Sequence, residues 1–323
     1  MTDVVMHASY AVRCEYTLIR RKARTGREVE RVGPFRNLIV SQGLDALLAS
    51  GSGGNFAVSV GSGNTPPTMA NTTIQSFIAA TTTALGAPTN EFQTVNAPIY
   101  YRKRFGGRFG EGVAAGNVAE VAWLLHVSGT PNASTPIFSR ALVRDANGEP
   151  TVITVLSDEF LDVIIDYYIY PQAEATGVVN LFIDGVSTPH SYIVRPSSMS
   201  GSTWGNADSS TSPSGPTPIM GYGGPSLSIT RAYNGNIGSP TGDPAGAVSG
   251  NLNAPALGGY VAGSHTREFT VQMGLAQANL SGGIRTMRID LRQARMQCQY
   301  DPPIAKIATK TLNLTYRVTV ANG

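Results

Sequence analysis

Charged side chains are scarce in this chain. Only 14% of its 323 residues are Asp, Glu, Lys or Arg, against about 25% in ordinary soluble domains. The net charge of +3 comes without a long basic stripe, so we expect no specific nucleic-acid binding. Glycine (36 residues) and proline (20 residues) are abundant instead, which is typical of short strands joined by turns. The low charge favours a protein whose surface is buried in an assembly.

Membrane-spanning, metal-binding and cofactor-binding patterns are also missing. No run of about 20 apolar residues could form a membrane helix. The N-terminus, starting Met1-Thr2-Asp3, lacks the basic segment and apolar run of a secretory signal, so we expect synthesis in the cytoplasm. Cys14 and Cys298 do not form a CxxC motif, and the four histidines lack metal-site spacing, so no metal or other cofactor is predicted. We expect two separate buried thiols. A Cys14–Cys298 disulfide is the alternative, because both residues lie on the apolar phase of their strands.

No motif predicts catalysis. The sequence lacks a Gly-x-Ser-x-Gly elbow, and the loop Gly61–Pro67 has no lysine to hold a phosphate. Asp158 and Glu159 are adjacent and would point to opposite faces of a strand, so they do not predict the carboxylate pair of a glycosidase. We predict that the protein is not an enzyme.

Alternation of apolar and polar residues dominates the chain and predicts strands. Residues 10–20 alternate clearly, and 28–35 follow as the return strand of a hairpin after a turn at Thr25-Gly26. Asn147-Gly148 lies between two apolar runs and predicts a hairpin of 137–144 with 151–156. Other predicted strands are 56–60, 93–105 paired with 117–127 across a glycine-rich link, 160–170, 177–184, 190–195, 266–274, 284–300 and 311–321.

Helical spacing is seen in one short segment. Leu44, Leu47 and Leu48 predict a helix at about 43–50, with Ser41 as its N-cap and Gly51 after its end. We therefore predict a mainly β fold. Its core is an antiparallel β-sandwich or a Greek-key-like arrangement, with one short helix.

The segment 197–262 differs from the rest of the chain. Of its 66 residues, 32 are Gly, Ser or Pro, and three are charged. We predict that 1–196 forms the N-terminal part of the core, that 197–262 is a loop-rich insertion, and that 263–323 supplies the C-terminal strands. Large side chains in the insertion should pack on the parent sheet or on a neighbouring subunit, because leaving them in water is costly. The candidate interaction residues are Trp204, Tyr222, Tyr233 and Tyr260.

Basic residues cluster at two places, between residues 20 and 27 and between residues 102 and 108. Each cluster predicts either a solvated hairpin tip or loop, or a contact to an acidic partner surface.

Several phrases of the sequence resemble those of tailed-bacteriophage virion structural proteins, the tail, tail-fibre and neck-associated family. Together they span residues 10–170 and 284–321. Where the family often has Glu-Val-Gly or Glu-Ile-Gly, this chain has Ala119-Glu120-Val121-Ala122-Trp123. The phrases are Asn37-Leu38-Ile39, Gly43-Leu44-Asp45-Ala46-Leu47, Val60-Gly61-Ser62-Gly63-Asn64-Thr65-Pro66-Pro67, Ile137-Phe138-Ser139-Arg140-Ala141-Leu142, Ile153-Thr154-Val155, Leu161-Asp162-Val163, Tyr300-Asp301-Pro302-Pro303-Ile304-Ala305-Lys306 and Leu312 to Val320.

The resemblance implies a structural component of a phage particle, in the tail, neck, collar or baseplate region. Such a protein would be located in the virion, and it would act as a homo-oligomer and through contacts with other virion structural proteins. The alternative is a host-recognition tail module that binds a receptor or a glycan. The aromatic residues of the insertion, set among Gly, Ser and Asn, would suit that role.

Overall fold

Strands dominate the structure, as the alternating pattern predicts. The computed structural model describes residues 5–49, 54–183, 186–200, 219, 230–250, 252–253, 255–291 and 294–323. The strands in these ranges are β1 (Val5–Lys22), β2 (Glu28–Arg36), β3 (Leu38–Ile39), β4 (Val58–Gly61), β5 (Phe77–Thr81), β6 (Thr89–Gln93), β7 (Tyr100–Phe109), β8 (Gly116–Val118), β9 (Glu120–Leu124), β10 (Ile137–Leu142), β11 (Ile153–Val155), β12 (Glu159–Pro171), β13 (Ala175–Ile183), β14 (Val186–Pro196), β15 (Arg231–Tyr233), β16 (Ala256–Leu257), β17 (Thr266–Met273), β18 (Ile284–Asp290), β19 (Arg295–Ile304) and β20 (Leu312–Asn322), and the helix α1 is Ser41–Leu48.

The largest sheet is built around β1, which has 18 residues. Its strand order is β16-β17-β20-β1-β12-β7-β6. One side of β1 pairs with β12 from Tyr10–Pro171 to Lys22–Glu159. The other side pairs in parallel with β20 along its first half and in an antiparallel manner with β2 along its second half. The predicted hairpin of 10–20 with 28–35 is confirmed.

Two smaller sheets cover the inner face of the large sheet and complete a sandwich-like fold. The even-numbered residues of β1 from Met6 to Leu18 are all buried. Tyr16 meets the sheet β3-β10-β9-β4-β5, where its hydroxyl lies 2.8 Å from Ser139 Oγ. Met6 meets the sheet β13-β14-β19-β18-β15, where the Tyr300 hydroxyl lies 3.0 Å from its sulfur. A fourth, two-stranded sheet joins β11 to β8.

An aromatic cluster fills the space between the large sheet and the sheet that contains β9 and β10. The ring centroid of Trp123 lies 4.9 Å from Phe105, 4.6 Å from Phe138 and 5.7 Å from Tyr167. The four rings come from four different strands, two in each sheet, so the cluster forms only when the two sheets pack together.

Several details differ from the sequence predictions. The pairing of 93–105 with 117–127 is wrong, because β7 lies between β6 and β12 while β9 lies between β4 and β10 in another sheet. The predicted run 284–300 is two antiparallel strands, β18 and β19. The prediction of Ser41 as the helix cap is also wrong: Val40 occupies the N-cap and makes no side-chain cap bond. Gly51 lies outside the described residues.

The turn at Asn147-Gly148 is confirmed, but the hairpin that it closes is short. Gly148 N–H donates to Asp145 O (3.0 Å), and Thr151 N–H donates to Val143 O (2.9 Å). Beyond this point β11 leaves β10 and pairs with β8.

The two cysteines are buried free thiols in different sheets. Cys14 lies opposite Tyr167 of β12, and Cys298 lies opposite Val194 of β14. Burial raises the pKa of both thiols, that of Cys298 to about 12. The expectation of separate thiols is therefore confirmed in this structure.

Candidate interaction surface

The two basic clusters of the sequence meet on the outer face of the large sheet. Strand β12 lies between β1 and β7, so the outward carboxylate of Asp162 faces basic residues on both sides. Asp162 accepts from Arg21 Nε at 2.9 Å and from Arg108 Nε at 2.6 Å. We call this outward surface of β1, β12 and β7 the charged face.

Asp166 lies four residues farther along β12 on the same face, and its arginine partners both come from β7. It accepts two hydrogen bonds from Arg104, both at 2.8 Å, and Arg102 in turn lies 2.5 Å from Glu91. Hydrogen bonding to Asp166 raises the pKa of Arg104, and hydrogen bonding to Asp162 raises the pKa of Arg108. Arg102, Arg104 and Arg108 thus each have a carboxylate partner within the chain, and they lie on strand β7 rather than at a hairpin tip or loop. A contact of this cluster with an acidic partner surface stays a prediction.

A group of tyrosines extends the charged face toward the end of β12. The Arg13 guanidinium lies over the rings of Tyr168 (4.7 Å) and Tyr170 (5.5 Å). Tyr100 packs edge-on against both rings and donates to Glu91 at 2.8 Å. We call Tyr100, Tyr168, Tyr170 and Arg13 the tyrosine patch. This patch was not predicted from the sequence, although Tyr168 and Tyr170 lie on the same outward face of β12 as Asp162 and Asp166.

A second ionic network lies where β1 ends and β12 begins. The buried Glu159 carboxylate lies 3.0 Å from Lys22 Nζ and 3.3 Å from Arg20, and it accepts from Leu156 N–H at 3.0 Å. Burial acts to raise the pKa of Glu159, but these donors and cations outweigh it, and the pKa lies below its ordinary value.

The tip of the β1–β2 hairpin presents the exposed cations of the first cluster. Arg24 and Arg27 are exposed and border an open recess of about 700 Å³ that Glu111 and Asp158 also line. For this part of the cluster the prediction of a solvated hairpin tip agrees with the structure.

The candidate interaction residues of the insertion do not form a common surface in the described part of the chain. Tyr233 is buried on β15, which pairs with β18, so this side chain packs on the parent sheet and does not face solvent. Tyr260 is half-buried, and its hydroxyl donates to Asp45 of α1. Trp204 and Tyr222 lie outside the described residues.

A buried ion pair between Glu120 and Arg140 holds in place the glycine- and proline-containing loop at 61–67, which follows β4. Glu120 accepts from the backbone N–H of Gly63 (3.0 Å) and Ser76 (2.7 Å), and from Arg140 Nε (2.7 Å). Arg140 also donates to Thr65 O at 3.0 Å. Both charged side chains are almost fully buried. We call this group the Glu120–Arg140 junction.

Three glycines allow the chain to approach this junction. A Cβ at Gly61 or Gly63 would overlap the Glu120 carboxylate or a nearby backbone carbonyl. A Cβ at Gly43 of α1 would overlap the carbonyl oxygen of Phe138. These positions therefore require glycine for close packing rather than for an unusual φ.

Comparison with protein-family models, with curated proteins and with solved structures found no match for this chain. No helix in the described ranges is long and apolar enough to cross a membrane. Within the same ranges, no three His, Cys, Asp or Glu side chains are grouped closely enough to hold a metal ion.

Proposed function

We propose that this chain is a non-enzymatic structural component of a tailed-bacteriophage particle, in the tail, neck, collar or baseplate region. It acts through self-assembly and through contacts with other virion proteins. One support is that several segments of the sequence resemble phage virion proteins. A second support is the position of several of these segments in the fold.

The observation that carries the proposal is that four of these phrases, 37–39, 43–47, 60–67 and 137–142, meet around the Glu120–Arg140 junction. Leu38 and Ile39 pair with β10 beside Arg140, and Gly43 packs against Phe138. The loop after β4 wraps around Glu120. The last strand also reaches this region, because Asn322 Nδ2 donates to Ile39 O at 2.9 Å. Segments that are far apart in sequence thus form one framework around a buried ion pair, which suits a structural part.

The charged face and the tyrosine patch suit contacts with protein partners. Tyrosine and arginine are enriched at protein interfaces, whereas unpaired charge is depleted from interface centres. On this surface, Arg21, Arg104 and Arg108 are each paired with Asp162 or Asp166, while Tyr100 and Tyr170 remain partly exposed. The surface can therefore be covered by a partner without leaving many isolated charges.

The host-recognition alternative depended on exposed aromatic residues in the insertion. Of the two that the structure describes, Tyr233 is buried and Tyr260 is bonded to Asp45. Nothing in the described part of the insertion therefore favours the alternative over an assembly role.

An antiserum raised against the purified chain tests the proposal. Phage particles purified from a lysate that contains the chain should carry it at a constant copy number by quantitative mass spectrometry. Gold-labelled antibody should mark one fixed region of each particle in electron micrographs. Absence of the chain from purified particles would overturn the proposal. Binding of the labelled free chain to host cells, at a level that blocks phage adsorption, would favour the host-recognition alternative.

A further inference from the structure

The outer edge of strand β13 lacks the features that usually protect sheet edges. β13 pairs with β14 over all nine residues in a regular register, from Ala175–Val194 to Ile183–Val186. It lies at the end of its sheet, and no other described strand pairs with its outer edge. Natural edge strands are commonly blocked by charge, proline or a bulge. β13 contains no charged residue and no proline, and its ladder with β14 has no bulge.

One face of β13 is exposed and uncharged. Val178 is 65% exposed, and Thr176 and Asn180 on either side of it are also exposed. The opposite face carries Val179 and Leu181, which are buried in the core. The exposed row therefore belongs to a well-packed strand, and its backbone is held in the extended form that pairing requires.

We propose that two copies of this chain pair edge to edge through β13, antiparallel about a two-fold axis at Val178. In that register Val178 lies opposite Val178 of the partner subunit. Thr176 and Asn180 lie opposite each other on both sides of the axis. The two five-stranded sheets then form one continuous ten-stranded sheet.

The identity of the partner follows from the symmetry of the exposed row. Polar, apolar and polar residues read the same in both directions, so an antiparallel copy places apolar against apolar and polar against polar. An isologous contact of this kind closes as a dimer. Because this edge carries no charged side chain, it does not favour a strand of opposite charge as its partner. This inference rests on the proposed self-assembly and names the surface that would carry it.

Lysine at position 178 tests the pairing, because it would place two like charges opposite each other. Analytical ultracentrifugation of wild type and Val178→Lys should show a dimer whose dissociation constant rises at least tenfold in the variant. Val127→Lys is the matched control: Val127 is 67% exposed, close to the 65% of Val178, and it follows β9 in a different sheet. The control should associate as wild type does, and both variants should keep the wild-type circular dichroism spectrum and thermal midpoint.

A cysteine at the same position tests the register. Directly opposed Cα atoms in an antiparallel pair lie about 4.5–5.5 Å apart, within the range of a disulfide. Because Cys14 and Cys298 are both buried, an introduced surface thiol would be the reactive one. Mild oxidation should convert Val178→Cys into a covalent dimer, whereas Val127→Cys should stay mainly monomeric.

Three results would overturn the β13 pairing. These are a folded Val178→Lys variant that associates as wild type does, equal or absent cross-linking at positions 178 and 127, and a wild-type chain that stays monomeric at every concentration measured. The first two would leave self-assembly through another surface intact. The third result would exclude self-association of the isolated chain. The antiserum experiment would still test separately whether the chain is part of the particle.

Discussion

At the scale of single residues, Glu120 shows how a chain with few charges uses a buried one. Its carboxylate accepts from three backbone N–H groups, those of Gly63, Gln75 and Ser76, and from Arg140. A buried carboxylate is costly unless all its oxygen positions are satisfied, and here the loop supplies the donors. The glycines of the loop are the means by which the backbone comes close enough to donate.

Replacing Glu120 with Gln should therefore destabilise the protein. The side-chain amide of Gln would point one of its own N–H groups at backbone N–H groups that need an acceptor. Arg140 would also lose its buried counter-charge. We expect the free energy of unfolding to fall by about 3–5 kcal/mol, measured by urea denaturation. Glu149→Gln, at an exposed position, should change it by less than about 0.5 kcal/mol. A Glu120→Gln chain as stable as wild type would show that the junction does not hold the loop.

Glu159 should give the protein part of its acid sensitivity. Its pKa in the folded chain lies below the ordinary value of 4.5, so ionised Glu159 stabilises the fold above about pH 4.5. This stabilisation is lost as the pH falls through the lower, folded-state pKa. Glu159→Gln should cost about 1–3 kcal/mol at pH 7, and the difference from wild type should shrink toward pH 3.

The pH series can be checked against the neighbouring carboxylate. Asp158 also contacts Lys22, but its side chain is 61% exposed, so Asp158→Asn should have little effect at any pH. Equal curves for wild type and Glu159→Gln across the acid range would contradict the role assigned to Glu159.

At the scale of elements, α1 is held by contact rather than by its own helix signals. The helix has eight residues, and its N-cap makes no side-chain bond. Isolated helices of this length are unstable in water. Leu44, Leu47 and Leu48 are buried, and Gly43 lies directly against Phe138 of β10. Tertiary packing therefore explains why this short segment is helical.

Gly43→Ala should reverse the usual effect of alanine in a helix. Alanine normally favours a helix over glycine by about 1 kcal/mol, but here its Cβ would overlap the carbonyl oxygen of Phe138. We expect a net loss of about 1–3 kcal/mol from overpacking, seen as a lower thermal midpoint. Gly259→Ala, where a Cβ meets nothing within 4 Å, should leave the midpoint nearly unchanged. A higher midpoint for Gly43→Ala would contradict this close contact.

At the scale of the whole molecule, the described part of the insertion is tied to the core. Gln297 of β19 donates to Gly238 O at 3.1 Å and accepts from Gly238 N–H at 2.8 Å. Gln299 accepts from Ile237 N–H at 2.8 Å, and β15 adds an edge strand to β18. The insertion thus packs across one sheet, while the large sheet receives from it the two-residue strand β16.

Replacing 198–261 with a short Gly-Ser linker tests this layout. We expect a folded β protein with a cooperative thermal transition, because β1, β12, β7 and β20 pair with no strand of the insertion. Its midpoint should be lower than that of wild type, because the pairing of β15 and the bonds of Gln297 are lost. We also expect weaker assembly or attachment to the particle. Loss of the cooperative transition would show that the segment is part of the core.

The sequence by itself determined the fold class and the positions of most strands. Alternation along residues 10–20 and 160–170 reports which side chains share a face, and this property depends only on the local backbone geometry. The Asn147-Gly148 turn and the helical leucines were recognisable for the same reason, since their signals lie within a few residues of each other.

Only the tertiary structure decided which strands pair and which charges meet. The pairing of 93–105 with 117–127 was predicted wrongly because alternation indicates that a segment is a strand but not which strand it pairs with. The basic clusters of β1 and β7 are separated by some 80 residues of sequence, and they meet because β12 lies between them with Asp162 and Asp166 facing outward. The burial of Tyr233 likewise depends on its pairing with β18. These outcomes depend on long-range packing, whose free energy is shared among distant segments and leaves no local pattern in the chain.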